Sequence, residues 1–436
     1  MFLAVSIAWP AAMSDAEARV DELFRPVADG KSPGAVVVAV RDGRVLLMKA
    51  YGMADVAKAV PNSPSTIFRL GSITKTFTAI AVLQLVERGK VKLDDPLSKY
   101  VTGFAEGIRI SQLLGHTAGV PDFMSLDEAR KRSLEFEPGT RINYSNNGYH
   151  LLSRVVERVS GQPWDEYLRD HVFTPVGMKN TGWDKTEELA GRAMGYLFEK
   201  DSYRAAALQD ARGAGAAGGL YSTVEDLVRW DKALAAAKLL RKETLELAMT
   251  PGVLKDGRRC RYGFGWITGA YRGLREVGHG GDITGFNTWL SRYPDEAFTI
   301  IVLSNTGMRP PGPLPAAGDL AHRAAEAWLG DRMKEDVPKY VALDPATLDR
   351  YVGRYRLNAP EAVQRAMGGD IVITRSGARL MPEGNGMKLP LDAKSETVFE
   401  ARASSAELTF VCSGGDCRMI LTLAGLREFE ALRVRQ

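Results

Sequence analysis

The chain has 436 residues, 45% of them hydrophobic and 25% charged, with a formal net charge of +4. That is enough apolar chain to bury substantial cores, and it points to two or three domains in a soluble protein. The clusters Arg130-Lys131-Arg132 and Arg258-Arg259 are short and lack interleaved aromatics, so they read as solvated surface and no nucleic-acid partner is expected; no apolar run approaches the length of a membrane span.

Residues 1–14 differ in character from the rest of the chain. Phe2 to Ala12 is apolar and precedes the polar, helix-like Ser14 to Arg19, which is similar to the tail of a signal peptide. It has no positive n-region and no clean Ala-x-Ala, so a truncated signal and an ordinary N-terminal segment both stay open. A periplasmic or secreted location is the expectation, with a cytoplasmic one the alternative. Gly34 to Ala50 then reads as a hairpin turned at Asp42-Gly43, with Val36, Val38 and Val40 alternating against the other face.

Ser72 sits in Gly-Ser-Ile-Thr-Lys-Thr-Phe-Thr-Ala, the one place in the chain where a lysine follows a serine by three residues. With 22 serines and 19 lysines, chance alone supplies about one such pair, so the spacing needs support from its context. Ile73, Phe77, Ile80, Val82, Leu83 and Leu85 follow without a proline and Gly89 closes the run, which predicts a buried helix beginning at Ser72. At a helix N-terminus the serine hydroxyl meets the positive end of the macrodipole, and its N–H is free to bind an oxyanion. Lys75, one turn on, points at that hydroxyl. A free lysine titrates near ~10.4, so a base working near pH 7 must have its charged form destabilised by about 4 kcal/mol, which burial can supply.

Tyr144-Ser145-Asn146 follows the turn signal Glu137-Pro138-Gly139 and precedes the apolar periodic run Leu151, Leu152, Val155 and Val156, placing the tripeptide on a loop entering a helix. Tyr144 reads as a phenol that holds its proton loosely and relays it, and Asn146 as an amide that orients substrate or the lysine. A helix cap is the competing reading of the tripeptide.

From Ser72 to about Met249 the pattern is largely helical. Strands are expected at Tyr262 to Thr268, Glu276 to Gly278, Phe286 to Tyr293 and Phe298 to Leu303, before a helix carrying Leu320, Ala324, Trp328 and Leu329. The result is an α/β sandwich over residues 15–337, with an antiparallel sheet assembled from both ends of that segment around a helical insertion and Ser72 at the boundary. His279-Gly280-Gly281-Asp282 lies on one of these strands. Its glycines permit close backbone approach, His279 is placed to donate a hydrogen bond into a cleft, and the N–H near Asp282 is a second oxyanion donor. His116 and His150 read as hydrogen-bonding rather than catalytic residues, and no histidine or cysteine cluster has metal-ligand spacing, so neither metal nor cofactor is expected.

Residues 338–436 change character. Asp370 to Thr374, Ser405 to Val411 and Arg418 to Leu423 are short strand candidates separated by turns, which predicts a small β-barrel or sandwich with nothing catalytic in it and with homo-oligomerisation or narrowing of the cleft as its open roles. Cys412 and Cys417 flank the turn sequence Ser-Gly-Gly-Asp; they meet as a disulfide if the protein is exported, or stay two thiols.

Taken together, Ser72-x-x-Lys75, Tyr144-Ser145-Asn146 and His279-Gly280-Gly281 resemble the three active-site motifs of the penicillin-recognising serine hydrolases, which include class C β-lactamases, D-alanyl-D-alanine carboxypeptidases, D-aminopeptidases and β-lactamase-like esterases. Leu113 to Gly119, Gly218 to Ser222 and Val302 to Asn305 also resemble family segments, and Tyr351-Val352-Gly353-Arg354-Tyr355 is similar to the opening of the lipocalin-like barrels carried by some relatives. The resemblance implies a β-lactamase-like fold and an acyl-enzyme mechanism on amide or ester bonds. Ser72 would be the nucleophile, Lys75 and Tyr144 the acid-base pair, Asn146 a substrate-orienting group, and the backbone of Ser72 and Asp282, beside Gly281, the oxyanion hole.

His279 stands where many relatives carry a lysine, and Asp282 adds a negative charge; both disfavour a substrate carboxylate. The expected substrates are therefore small molecules or short peptides, D-amino-acid peptides and amides or short esters, with weak β-lactamase activity at best. A sensor or scaffold that binds a penicillin or peptidoglycan fragment without turnover is the alternative.

Overall fold

The computed structural model describes residues 15–122, 124–185, 189–207, 213–308, 312–335, 339–401, 406–413 and 416–434. The expectation for residues 1–14 lies outside them. A first helix, α1 (Asp15–Phe24), precedes the hairpin β1 (Ala35–Arg41) and β2 (Arg44–Tyr51), turned at Asp42 and Gly43. The intervening region contains α2 (Thr74–Glu87), α3 (Asn146–Ser160) and α4 (Val224–Ala235) among shorter helices, together with a small hairpin of Tyr196–Glu199 and Ser202–Ala205 that the expected helical stretch lacked. The chain returns as β3 (Ile267–Tyr271), β4 (Leu274–Ile283), β5 (Phe286–Tyr293), β6 (Phe298–Ser304) and α5 (Ala317–Leu329).

Among the described residues, these strands form one antiparallel sheet in the order β3-β4-β5-β6-β1-β2. Ala35 to Val40 are all buried, because helices cover both faces of the sheet. Val36, Val38, Ile301 and Leu303 face the helical region around Phe77 and Ile80, whereas Val37, Ala39, Ile300 and Val302 pack on Phe24 of α1 and Leu320 and Ala324 of α5. The strand expected over Tyr262 to Thr268 begins only at Ile267. Tyr262 makes a single bridge to Ile267, and Gly263 N–H turns back to the Trp266 carbonyl at 2.8 Å.

The C-terminal strands are β7 (Gly353–Asn358), β8 (Asp370–Ser376), β9 (Arg379–Gly384), β10 (Met387–Lys388), β11 (Asp392–Ala393), β12 (Val398–Ala401), β13 (Ala406–Ser413), β14 (Asp416–Leu423) and β15 (Arg427–Arg433). They run in the order β10-β9-β8-β7-β15-β14-β13-β12-β11, and the sheet curls until its ends nearly meet, with the Leu391 N–H bonded to the Leu380 carbonyl at 3.0 Å. Inward residues such as Tyr355, Ile373, Phe410, Met419 and Phe429 fill this barrel. Cys412 and Cys417 face each other across β13 and β14 and are joined as a disulfide.

The barrel docks on the loop that leads into α3. Tyr144 N–H bonds to the Leu426 carbonyl at 2.9 Å, Glu428 N–H to the Ile142 carbonyl at 3.1 Å, and Asn143 pairs antiparallel with Arg427.

Candidate active site

Ser72 lies on the 3₁₀ turn Gly71–Ile73 that runs directly into α2. This helix carries apolar residues around its whole circumference and is buried from Thr74 to Leu85, as expected of a helix set inside a core. Lys75 shares that burial and has no exposed surface. A charged amine there must find partners or lose its proton.

Lys75 Nζ reaches three acceptors: Ser72 Oγ at 3.2 Å, Asn146 Oδ1 at 2.8 Å and the Ala217 carbonyl at 2.7 Å. In the neutral amine, the two hydrogens satisfy Asn146 and Ala217, and the lone pair is left to accept the Ser72 proton. Burial lowers the Lys75 pKa to about 7; Asp122 opposes the shift and Arg427 assists it. The nitrogen also stands 4.6 Å from the centre of the Tyr144 ring.

Tyr144 immediately precedes Ser145, whose side chain caps α3 by accepting the Gly148 N–H at 3.2 Å. Cap and site therefore share one tripeptide. Burial pushes the Tyr144 phenol up, while a hydrogen bond with Ser72 and the charge of Arg427 work in the other direction. The phenol is thus a held proton rather than the loosely held one expected from sequence. His116 packs on it with ring centres 4.3 Å apart, and His116 Nδ1 accepts the Ser145 N–H at 3.1 Å.

The third motif approaches through two glycines. Gly71 has φ +55°, and a Cβ there would come within 2.9 Å of Asp282 N; a Cβ on Gly281 would come within 1.9 Å of the Leu70 carbonyl oxygen. β4 can lie against the serine turn only because both are glycine. Asp282 is exposed beside Ser72. His279 is buried, and both ring nitrogens are engaged: Nδ1 donates to the Gly280 carbonyl at 2.7 Å, leaving Nε2 to accept from Tyr262 Oη at 2.9 Å. Burial lowers its pKa to about 3, so the ring is neutral.

Ser72, Tyr144, Asn146, His150, Asp282 and Ile283 line a cavity of about 260 Å³. Among the described residues lining it there is no lysine or arginine, and Asp282 supplies the charge. The structure thus gathers Ser72, Lys75, Tyr144, Asn146 and Asp282 at one place with Gly281 behind them, whereas His279 sits deeper, bound to Tyr262. His150, read from sequence as a plain hydrogen-bonding residue, lines the cavity.

Sequence reasoning did not single out Asp122. Its carboxylate, 3% exposed, accepts the backbone N–H of Asn146 at 2.9 Å and of Asn147 at 3.3 Å, and the Asn146 side-chain amide at 3.4 Å. That last bond turns the amide oxygen of Asn146 toward Lys75. Nor did it single out Arg427, which reaches Asp122 from the C-terminal barrel at 3.5 Å. No local pattern marks either residue, since each acts across 24 or more positions of sequence.

Comparison with known families decides the relationship. The model of the β-lactamase family matches residues 20–326, which include every one of the sequence-predicted site residues. The chain belongs to that family. It is a serine hydrolase of the penicillin-recognising kind. It is 29% identical to penicillin-binding protein 4* of Bacillus subtilis over 95% of this chain and 98% of that protein. The solved structure of a D-amino acid amidase from Ochrobactrum anthropi SV3 superposes with a TM-score of 0.63 at 25% identity, covering 73% of this chain and all of that one. An octameric penicillin-binding protein homologue from Pyrococcus abyssi matches at TM-score 0.65 and 24% identity over 96% of this chain and 100% of that one, a likeness of fold that extends through the C-terminal barrel.

Proposed function

We infer that this hydrolase works through an acyl-enzyme on Ser72, with neutral Lys75 as its base. The observation that carries the reading is the fully buried Lys75 amine, which has two carbonyl acceptors for its hydrogens and the Ser72 hydroxyl before its lone pair. Ser72 Oγ bonds to the substrate carbonyl carbon as its proton passes to Lys75 Nζ. The oxyanion is received by the N–H groups of Ser72 and Asp282, each such donor contributing about 3 to 4 kcal/mol to the transition state. Collapse breaks the bond to the leaving amine or alcohol, which takes a proton relayed through the Tyr144 phenol. Water then reverses the sequence, releasing the acid and restoring the Ser72 hydroxyl.

The substrate reading is a small D-amino-acid amide, D-peptide or short ester with a free amino group. The exposed carboxylate of Asp282 at the cavity favours an ammonium by about 1 kcal/mol at a separation near 4 Å in water-like surroundings, and opposes a carboxylate equally. The D-amino acid amidase neighbour supports the same class. The Cys412–Cys417 pairing supports an oxidising compartment outside the cytoplasm. Residues from about 338 onward are read as a separate small domain.

D-phenylalanine amide, its L isomer, N-acetyl-D-phenylalanine amide and a short ester, each in large excess over the full chain, test the reading. Many turnovers, with D over L and free amine over N-acetyl, are expected. Product that stops at one equivalent with a persistent adduct would replace the hydrolase with a non-turnover binder.

A further inference from the structure

The barrel is joined to the catalytic loop by backbone pairing, and one of its side chains continues inward. At the start of β15, Arg427 pairs with Asn143 across an antiparallel bridge, places its guanidinium 5.9 Å from the Tyr144 ring centre and meets Asp122 at 3.5 Å. Asp122 is a nearly fully buried carboxylate that holds the first turn of α3 and the Asn146 amide. A buried carboxylate without a cation carries a large desolvation penalty, and here it would also act on the amine that Asn146 contacts. From Arg427 the line runs through Asp122 and Asn146 to Lys75 and Ser72.

We propose that Arg427 is a positioning residue for the hydrolase site: by pairing with Asp122 it balances the carboxylate that fixes Asn146 against Lys75, so that the C-terminal barrel completes the base. The proposal rests on the reading of Lys75 as the base of Ser72.

The groups that face Lys75 leave room for this effect to be seen. From its own turn comes Ser72; from α3 and its entry come Tyr144, Asn146, Tyr149 and His150. From the loops and sheet come His116, Asp122 and His279, with Tyr262 behind them, and from the short helix Gly215–Gly218 the Ala217 carbonyl. His150 is lowered to about 4, His279 to about 3, and His116 well below its ordinary value, all chiefly by burial, so these rings are already neutral where Lys75 titrates. Around Arg427 stand Asp122, Tyr144 and Glu135, the last a half-buried carboxyl raised by burial. Asp122 raises Lys75 and Arg427 lowers it, which fixes the sign of each substitution.

The test is the pH dependence of Ser72 acylation by a fluorophosphonate in the full-length wild type, Arg427→Met, Arg427→Lys, Asp122→Asn and the double variant Arg427→Met/Asp122→Asn, with Ser72→Ala as control. In Arg427→Met the midpoint of the acid limb moves up by roughly half to one pH unit, a three- to tenfold loss of rate below it. Arg427→Lys keeps the wild-type midpoint, Asp122→Asn moves it down, and the double variant returns toward wild type.

An unchanged midpoint in Arg427→Met, or a loss of rate equal at every pH, overturns the proposal. If Arg427→Met does not fold, Arg427→Gln against Arg427→Lys decides on the same criterion. A wild type that labels no more than Ser72→Ala removes the Lys75 reading itself, an outcome distinct from either.

Discussion

Lys75 Nζ lies 2.8 Å from Asn146 Oδ1, and the amide is held in that sense by Asp122 behind it. The lysine of the first motif thus takes one of its hydrogen-bond acceptors from the second. The two meet because α2 is sunk in the core while the N-terminus of α3 ends against it.

Lys75→Met lowers the acylation rate by roughly 10² to 10⁴, the range expected for loss of a positioned base. The same substitution stabilises the fold at neutral pH. The Lys75 pKa falls from its ordinary value to about 7 in the folded state, so between about 7 and 10 the unfolded chain binds more protons and wild-type stability rises with pH. Melting temperatures measured from pH 6.5 to 10 show the variant ahead at the acid end, with the gap narrowing toward pH 10.

Tyr144→Phe keeps the ring against His116 and Lys75 and removes the proton. Hydrolysis of an amide, whose leaving amine needs that proton, falls by about 10² to 10⁴, while an activated ester with a good leaving group falls far less. Since burial holds the phenol proton, the wild-type rate stays level between pH 8 and 9.5. A decline over that interval in a kcat/KM profile would point to an ionising phenol.

Gly281→Ala drives a methyl group toward the Leu70 carbonyl oxygen, 1.9 Å from its ideal position, and β4 has to move away from the serine turn. Destabilisation of about 2 to 4 kcal/mol and loss of Ser72 labelling are expected. Chemical denaturation together with probe labelling checks both.

Asp282→Asn removes the Asp282 negative charge from the cavity with little change of side-chain shape. The preference for D-phenylalanine amide over its N-acetyl derivative drops by roughly fivefold, the equivalent of about 1 kcal/mol. Measuring kcat/KM for the two substrates in both proteins reads it directly.

The parts of this architecture that rest on local pattern were legible. The Asp42-Gly43 hairpin, the buried helix after Ser72, the capped helix after Tyr144 and the turn-rich C-terminal strands all follow from periodicity and punctuation. The both-sided burial of Ala35 to Val40 was written in its unbroken apolar run, although only one face was read. What escaped were contacts made by separate elements. Asp122 and Arg427 lie 305 positions apart, and nothing in either neighbourhood announces a carboxylate held behind the Asn146 amide. His279 was placed at the cleft by its motif, yet the turn at Tyr262 to Trp266, misread as strand, is what brings the phenol that engages it.

The most direct test of the central claim is intact mass and rate of labelling with a fluorophosphonate across pH 5 to 9, for the wild-type chain and Ser72→Ala. A single adduct on the wild type, absent from Ser72→Ala and forming faster through a midpoint near pH 7, is the expected result. No adduct, an adduct that persists in Ser72→Ala, or a rate flat across that range would contradict a neutral Lys75 acting as the base of Ser72.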